Sequence, residues 1–402
     1  MGPERERVDG LDSVTTVPTP WLNRTVLAFG VASFFSDAGH ETATAILPFF
    51  LVSVGGSAAV LGLVEGVADA LSTAAKLVSG WYSDGLRHRK PLGVAGYAAT
   101  GVGMAAFALT WTPLQLLVVR ALSWMGRGMR GPVRDAMLAE AVPPEAVGRA
   151  FGFHRAMDTV GAVLGPLSAL VLLSFCGYRA IFALTLIPGL LSVVAFASTP
   201  ERARDRTRLD FRASIRELPR PYRSFLVAVG IFGLGDFARS LLILRAAQLS
   251  PVGAVSAQHL AIGLYVFHNL VHAGAAYGIG VLGTRLGARR TLAAGYALFG
   301  LMALGFIIAP AHPSVWMLLG LFLLAGLSLS AEEVLEGTVA AELLPEHLRG
   351  TGYGTLAAVN GVGDLVASAA VGFLWATISP TAGFLYAAST SFLGALVLLR
   401  AR

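Results

Sequence analysis

Long apolar stretches separated by short polar segments fill almost the whole chain between Thr25 and Leu399. About twelve of these stretches reach the roughly 17 to 25 residues that a helix needs to cross a bilayer. They are continuous and rich in Ala, Leu and Gly, whereas the strands of a membrane barrel alternate polar and apolar residues over about ten positions. The pattern therefore predicts transmembrane helices near 25–53, 58–80, 92–110, 113–133, 149–174, 178–198, 223–248, 256–282, 291–309, 313–335, 351–377 and 381–399.

The second half of the chain repeats the first at an offset of about 200 residues. Asp37 in the first apolar stretch corresponds to Asp236, and Tyr97 corresponds to Tyr296. Such a repeat predicts two equivalent halves with a central pathway between them. We therefore expect an all-α membrane protein with twelve transmembrane helices in two pseudo-symmetric six-helix halves. The predicted divisions are a cytoplasmic tail (1–23), the first half (24–198), a cytoplasmic linker (199–221) and the second half (222–402).

Composition supports the membrane assignment and excludes several other classes. The chain is 55% hydrophobic and 13% charged, which lies outside the range of soluble globular proteins. Cys176 is the only cysteine, so an internal disulfide and a cysteine-based metal cluster are both excluded. No nucleotide-binding loop is visible. We expect no cofactor, and we expect an ion gradient rather than ATP to supply the energy.

Basic residues fall in alternate loops, which explains the net charge of +6 without a nucleic-acid partner. Eight arginines lie between Arg202 and Arg223, whereas the loops near Gly55 and Pro310 carry almost no charge. By the positive-inside rule, both termini and the middle linker are cytoplasmic. The N-terminal tail is charged and lacks an apolar core, so we do not expect a cleaved signal peptide. The expected partners are the lipid bilayer, a small-molecule solute and protons, and the protein is expected to work as a monomer.

Ionisable side chains lie at depths where lipid would not tolerate them. At 1.5 Å per residue, most fall roughly 10 to 20 Å from the start of their helices. Insertion costs roughly 2.5 to 3.5 kcal/mol for each ionised group at a helix centre, so these side chains must face a cavity or each other. The candidates for this cavity are Asp37, Glu41, Glu65, Asp69, Arg120, Arg127, Asp158, Asp236, Arg239, His268 and Asp364.

Carboxylates in such a cavity are candidates for proton coupling. Desolvation disfavours the ionised form, whereas a nearby arginine favours it, so alternating between the two environments would link protonation to conformation. Any single one of these residues could instead belong to a charge pair that fixes helix packing. The sequence leaves open which arginine approaches which carboxylate.

The turn between the second and third predicted helices carries a recognisable motif. It consists of Gly80, Asp84, Arg87, Arg89 and Lys90, and its second copy has Thr284 in place of the aspartate. This segment resembles the signature loop of the major facilitator superfamily. The resemblance implies that Gly80 lets helices approach and that Asp84 helps to lock the cytoplasmic side.

Two further motifs point to the same family. Arg120 followed by Gly126 and Gly128 is similar to its arginine-glycine motif. The segment with Gly161, Gly165 and Pro166 is similar to the glycine-proline motif of its antiporters, although close packing with a proline kink would also explain it. The segments 33–37 and 152–158 look like those of a bacterial branch of efflux permeases. The resemblance implies export in exchange for protons across the bacterial inner (cytoplasmic) membrane.

Proton-coupled efflux of a small organic solute by alternating access is therefore the leading hypothesis. Aromatic side chains are candidates for apolar contact with that solute, namely Phe34, Phe35, Phe232, Tyr265 and Phe267. A divalent-metal exporter is an alternative, because Asp37, His40 and Glu41 could face His268 and His272. A membrane enzyme or a non-transporting sensor is the alternative from another class.

An acidic cluster on the tenth predicted helix stands apart from these candidates. It comprises Glu332, Glu333 and Glu336, and its position predicts a depth near the cytoplasmic surface. We expect a solvated gate there, or a partner for Arg130 and Arg134.

Overall fold

The computed structural model describes residues 21–84, 86–143, 146–201, 217–251, 253–309, 314–345 and 348–400. Within these ranges the chain is helical and contains no strand. The helices are α1 (Arg24–Ser53), α2 (Ala58–Asp84), α3 (Lys90–Ala106), α4 (Pro113–Glu140), α5 (Val147–Leu172), α6 (Tyr178–Leu184), α7 (Leu186–Ala197), α8 (Arg220–Gly233), α9 (Arg239–Gln248), α10 (Ala254–Leu286), α11 (Ala288–Ile308), α12 (Val315–Leu343), α13 (Arg349–Thr377) and α14 (Pro380–Arg400). Most of the predicted tail and linker lies outside the described residues, so their boundaries stay predictions.

Local sequence sets several helix starts. Asn23 caps α1, because its side-chain oxygen accepts from the backbone N–H groups of Thr25 (2.9 Å) and Val26 (3.0 Å). Thr112 and Gln115 form a capping box at the start of α4. Gly287 separates α10 from α11 with a φ of +94°, a conformation that favours glycine. The chain therefore marks its own turns between membrane crossings.

Two of the predicted membrane crossings are interrupted. Thr185 separates α6 from α7, and residues 234–238 separate α8 from α9. The second break leaves backbone groups without partners inside a helix. One of them, the N–H of Ala238, donates a hydrogen bond to Ser368 Oγ on α13 at 3.0 Å. Asp236 lies in this break, and Arg239 begins α9. Hydropathy alone does not reveal such a break, because the residues on both sides are apolar.

Counting α6–α7 and α8–α9 as one crossing each gives the expected twelve transmembrane helices. Eight described helices are long and apolar enough to cross a membrane by length and composition alone. The other four crossings are α1, α4, α8–α9 and α10, and each contributes polar side chains to the cavity described below. These polar residues lower the hydropathy of α1, α4 and α10, whereas α8 and α9 are each too short to qualify because of the break between them.

The helices pack as two halves, as predicted. In the first half α1 packs on α5 and α7, and α4 packs on α2 and α3; in the second half α11 packs on α12 and α14. The halves meet where α2 lies against α13 and α5 against α10. Glycines allow the first contact, because a Cβ at Gly62 would lie 2.0 Å from Ser368 O and one at Gly372 would lie 2.6 Å from Ala58 O.

We call the end of the bundle where α1 begins and α14 ends the terminal face, and the other end the opposite face. Near the opposite face, Tyr178 OH donates to Gln258 Oε1 across the two halves at 2.8 Å. Towards the terminal face, Arg155 on α5 pairs with Glu333 on α12. A cavity lies between these two sets of contacts.

Candidate functional site

The cavity has a volume of about 400 Å³ and is lined by residues of both halves. Of the 26 described residues that line it, only four are apolar: Trp124, Ala162, Ala238 and Leu329. Eight carboxylates, five lysine or arginine side chains and two histidines make up most of the rest. A cavity this rich in charge suits a hydrophilic solute better than a lipophilic one.

Nine of the eleven residues expected from the sequence line this cavity. They are Asp37, Glu41, Glu65, Asp69, Arg120, Arg127, Asp158, Arg239 and Asp364. Asp236 and His268 instead line a smaller adjoining cavity of about 20 Å³. Arg239 and Glu332 line both cavities, so the two are neighbours.

A pair of carboxyl groups joins α1 to α5. The carboxyl groups of Asp37 and Asp158 lie close enough for a hydrogen bond between them, and Ser33 Oγ donates to Asp158 Oδ1 at 2.7 Å. Two carboxyl groups can share a hydrogen bond only when one of them carries the proton. Arg130 NH2 lies 3.5 Å from Asp37 Oδ1, and Arg127 NH2 lies 3.9 Å from Oδ2. A proton shared by this pair would therefore lie beside two guanidinium groups.

The glycine-proline segment of α5 explains why the two carboxyl groups meet. A Cβ at Gly161 would lie 2.5 Å from Phe34 O, and one at Gly165 would lie 2.7 Å from Ala38 O. Both glycines thus let α5 approach the backbone of α1, and α5 remains helical through Pro166. Asp158 lies one turn before Gly161, so this close packing carries it to Asp37.

Arg120 and Glu65 form a buried ion pair between α4 and α2. The Arg120 Nε–Glu65 Oε2 distance is 3.1 Å and the NH2–Oε2 distance is 2.7 Å, with Arg120 1% and Glu65 3% exposed. The guanidinium lies 3.3 Å from the centre of the Trp124 ring, and Trp124 Nε1 donates to Asp69 Oδ1 at 2.8 Å. Arg120 is therefore held by Glu65.

Arg127 occupies a different place on the same helix. Besides Asp37, its NH1 atom lies 2.9 and 2.7 Å from the two ring nitrogens of His40. His40 in turn lies 3.4 Å from Glu41. The sequence left open which arginine approaches which carboxylate. In the structure Arg120 pairs with Glu65, and Arg127 lies beside the pair of Asp37 and Asp158.

The acidic cluster on α12 does not lie at the surface as we expected. Glu332 and Glu333 line the central cavity, and Glu332 is hydrogen-bonded to Asp236. Glu336 is buried and accepts from Tyr296 OH at 2.5 Å and from Asn360 Nδ2 at 2.7 Å. The prediction was wrong because α12 reaches the terminal face only at Leu343, about two turns beyond this cluster.

The expected partners of that cluster were also wrong. Arg130 contacts Ser36 and Asp37 in the first half, and Arg134 NH2 lies 2.9 Å from Asp135 Oδ1. The repeat would have indicated this difference. With Glu140 aligned to Glu342, Arg130 and Arg134 fall on Glu332 and Glu336, so equivalent positions carry opposite charges.

Several contacts connect the two halves across the cavity. Tyr265 OH on α10 donates to Glu41 Oε2 at 2.7 Å, and Asn269 Nδ2 donates to Ala162 O at 2.8 Å. Glu333 pairs with Arg155 and also lies 3.2 Å from His272 Nε2. Lys76, which the sequence analysis did not single out, also lines the cavity. Its position, seven residues after Asp69 and so on the same helix face, was the available signal.

The signature loop binds to its own half. Arg89 is buried, and its Nε donates to Ser83 O at 3.2 Å while its NH1 lies 3.2 Å from Glu140 Oε1. Lys90 Nζ donates to Thr199 O at 2.7 Å. Arg87 is exposed. These contacts fasten α3 to α4 and to the end of α7.

The family resemblance implies roles for Asp84 and Gly80 in this loop, and the structure bears on only one of them. Asp84 ends α2, and its side chain lies outside the described residues. A Cβ at Gly80 would make only an ordinary 3.6 Å contact with Pro132. Gly128 is the more confined position, because a Cβ there would lie 2.1 Å from Ser72 O. Close approach of α2 and α4 therefore depends on the glycine of α4.

Most of the aromatic residues proposed for contact with an organic solute lie outside the cavity lining, and the residues proposed for a metal ion are not grouped as a metal site. Of the five candidate aromatic residues, Tyr265 is the one among the lining side chains. Phe232, for example, is buried and stacks on Tyr296 with ring centres 3.7 Å apart. Within the described ranges, no three His, Cys, Asp or Glu side chains are grouped so as to hold a metal ion.

Two six-helix halves around a central polar cavity define a membrane transporter. The family model of the Major Facilitator Superfamily matches residues 29–268 and 240–402. The chain therefore belongs to the Major Facilitator Superfamily. It is an integral membrane transporter and not an enzyme.

Individual relatives agree with this assignment. An uncharacterised transporter of this family from Methanocaldococcus jannaschii is 31% identical over 382 residues, which cover 94% of this chain and 95% of the relative. The multidrug resistance protein MdtH of Cronobacter sakazakii is 29% identical over 137 residues, or 33% of this chain and 34% of that protein. The crystal structure of the nucleoside transporter NupG has a TM-score of 0.77 at 15% identity, covering 94% of this chain and 99% of that one.

Proposed function

We propose that this protein exports a small solute in exchange for protons by alternating access. The observation that carries the proposal is that the carboxyl groups of Asp37 and Asp158 meet at the wall of the central cavity, with Ser33, Arg127 and Arg130 in contact with them. A shared proton in that place gives the transporter a group that can be loaded and unloaded without any cofactor. Asp37, Glu41, Glu65, Asp69, Arg120, Arg127, Asp158, Asp236, Arg239, His268 and Asp364 remain our candidates for the coupling and substrate machinery.

Loss of the shared proton would change the contacts of α1. Two adjacent carboxylates repel each other, and Arg127 and Arg130 are the nearest cations to Asp37. Asp37 would then exchange its bond to α5 for a tighter ion pair with α4. Glu41 lies one turn further along α1 and accepts from Tyr265 of the second half. A shift of α1 would therefore reach the interface between the halves.

In alternating access the cavity opens first at one face of the bundle and then at the other, and contacts between the halves close each face. Tyr178–Gln258 holds the opposite face, and Arg155–Glu333 holds the terminal side of the cavity. Arg155 also lies 3.3 Å from Asp158 Oδ2. Because the same arginine contacts the proton pair and the second half, a change of charge at Asp158 would weaken or strengthen the link to α12.

Other observations support the direction and setting of transport. The partial similarity to a protein named for multidrug resistance favours export. The basic loops favour cytoplasmic termini in a bacterial inner membrane, with the signature loop Gly80–Lys90 as a cytoplasmic gate. We propose a monomer, because both halves of the cavity come from one chain.

Everted membrane vesicles loaded with a pH-sensitive dye test the coupling. Organic cations, organic anions, zwitterions and divalent metals are added in turn, with and without the protein. We expect proton efflux with at least one solute class, and we expect Asp37→Asn and Asp158→Asn to abolish it. Retention of solute-dependent proton movement in both variants would refute the assignment of the pair.

A matched control separates coupling from general damage. Glu342→Gln makes the same carboxyl-to-amide change at an exposed position near the terminal end of α12, outside the cavity. We expect this variant to behave like the unmodified protein. Equal expression of all variants in the membrane fraction establishes that folding is preserved.

A further inference from the structure

Three charged side chains in the cavity form no hydrogen bond or ion pair with another described residue: Arg239 on α9, Asp364 on α13 and Lys76 on α2. Their charged neighbours are mostly engaged, as Arg120 is with Glu65 and Arg155 with Glu333. Asp364 is within electrostatic reach of the carboxylates Asp69 and Asp236 as well as of Arg239 and Lys76, and it bonds to neither cation. Both signs of charge are therefore available on the cavity wall.

Lys76 and Arg239 are exposed and Asp364 is half-buried, so these three unpaired charges are open to the cavity and are not sealed in the packed interior. The other cavity charges show that this chain can supply partners within hydrogen-bonding distance. Charges left open towards a shared cavity are therefore suited to a bound molecule that carries the complementary groups. A cation of the protein calls for an anionic group, and a carboxylate calls for a cationic one.

The position of Arg239 reinforces the anionic part of this reasoning. Arg239 is the first residue of α9, where the helix dipole and the free backbone N–H groups already create positive potential. A cation at that end is unfavourable for the helix alone, so its presence concentrates positive charge at one spot. Ala238 and Ser240, its neighbours in sequence, line the same cavity. A carboxylate or similar anion would neutralise the dipole and the guanidinium together.

The composition of the cavity argues against a lipophilic occupant. Pockets for drug-sized organic molecules are lined mainly by hydrophobic and aromatic side chains. Here only four of the 26 lining residues in the described part of the chain are apolar. A lipophilic solute would remove many charged groups from water and provide them with nothing in return.

We propose that the transported solute is a small hydrophilic zwitterion, whose anionic group binds Arg239 and whose cationic group binds Asp364. This inference rests on the proposed transport function and specifies its substrate class. It differs from what the name of the multidrug resistance relative would suggest, which is a drug-like molecule. Lys76 adds a second cation beside Asp364 and extends the polar surface towards the terminal face.

Matched ligands test the proposal on the full-length protein in lipid nanodiscs at constant pH. Three zwitterions of different length are used, namely glycine, 4-aminobutanoate and 6-aminohexanoate, each with the carboxylate and the ammonium ion of equal chain length. Ethidium serves as the lipophilic cation. We expect at least one zwitterion to bind roughly tenfold or more tightly than either of its matched ions. The reason is that a singly charged ion can form only one of the two charge-assisted contacts that the zwitterion forms.

Two variants identify the contacts. In Arg239→Gln the preferred zwitterion should bind no better than its matched ammonium ion, and in Asp364→Asn no better than its matched carboxylate. Arg285→Gln, at an exposed position near the terminal end of α10, should retain the original preference. The proposal is wrong if no zwitterion exceeds its matched ions, if ethidium binds most tightly, or if both cavity variants keep the preference.

This binding assay needs no proton gradient, so its result is separate from that of the vesicle assay. Zwitterion binding without proton movement in vesicles would refute proton coupling and leave the substrate class intact. Proton movement driven by ethidium alone would refute the substrate class and leave the coupling intact.

Discussion

Gly161 offers the sharpest test of how the carboxyl pair is positioned. In Gly161→Ala the new Cβ would lie 2.5 Å from Phe34 O, and an ordinary contact begins at 3.4 Å, so α5 must move away from α1 by about 0.9 Å. The obstacle is backbone, which cannot rotate aside as a side chain would. The bond from Ser33 Oγ to Asp158 Oδ1, now 2.7 Å, would lengthen to about 3.6 Å and be lost.

The expected effect has two parts. Overpacking of this kind costs about 1 to 3 kcal/mol of stability. Separation of α1 from α5 should also remove the shared proton of Asp37 and Asp158, because their hydrogen bond depends on the same approach. Thermal unfolding in detergent measures the first effect. Infrared spectroscopy measures the second as loss of the carbonyl band of a protonated carboxyl group.

Gly152→Ala on the same helix is the control. A Cβ at Gly152 would have no atom within 4 Å, so the substitution should be neutral or stabilise the helix by about 0.5 to 1 kcal/mol. The protonated carboxyl band should persist in this variant. If Gly161→Ala melts at the temperature of Gly152→Ala and keeps the band, close packing does not position the pair.

Three other substitutions test separate parts of the site. Arg120→Gln leaves Glu65 buried without its cation and should lower the free energy of unfolding, measured with denaturant, by about 3 to 5 kcal/mol. The double variant with Glu65→Gln should recover most of that loss. A double variant as unstable as the single one would contradict the pairing. Arg155→Gln removes an ion pair between the halves, so hydrogen exchange measured by mass spectrometry should accelerate at the ends of α5 and α12 that lie near the terminal face. The corresponding end of α3 should not change. Unchanged exchange in α5 and α12 would show that the ion pair does not hold the halves together near the terminal face. Asp37→Asn should lose the infrared band of the shared proton, whereas a band that persists would place the proton elsewhere.

The twelve crossings and the charged interior could be predicted from the sequence for physical reasons that are local, whereas the two halves were predicted from the repeat and the family from the resemblance of its motifs. Helix length is set by bilayer thickness, and an ionised group in lipid carries a fixed cost wherever the chain folds. The first reason indicated the twelve crossings. The second selected residues such as Asp37, Glu65 and Asp364, and nine of the eleven chosen in this way line the cavity.

Other features depended on which helix faces touch, and no local rule specifies them. Hydropathy did not reveal the break at residues 234–238 that places Arg239 at a helix start. The depth of Glu332 and Glu333 was misjudged, because it depends on where α12 ends. The aromatic residues proposed for solute contact were chosen by type, although packing turns most of them elsewhere.

The sequence by itself determined that this chain has twelve membrane crossings and that its membrane interior contains many charges, and its motifs resembled those of a transporter family. Only the tertiary structure decided which charges are paired and which are open to a solute. Arg120 and Arg127 lie two turns apart on one helix, yet one holds Glu65 and the other lies by Asp37. The reason is that any nearby opposite charge can offset the cost of burying an arginine. Which carboxylate lies near each arginine is decided by the packing of the helices.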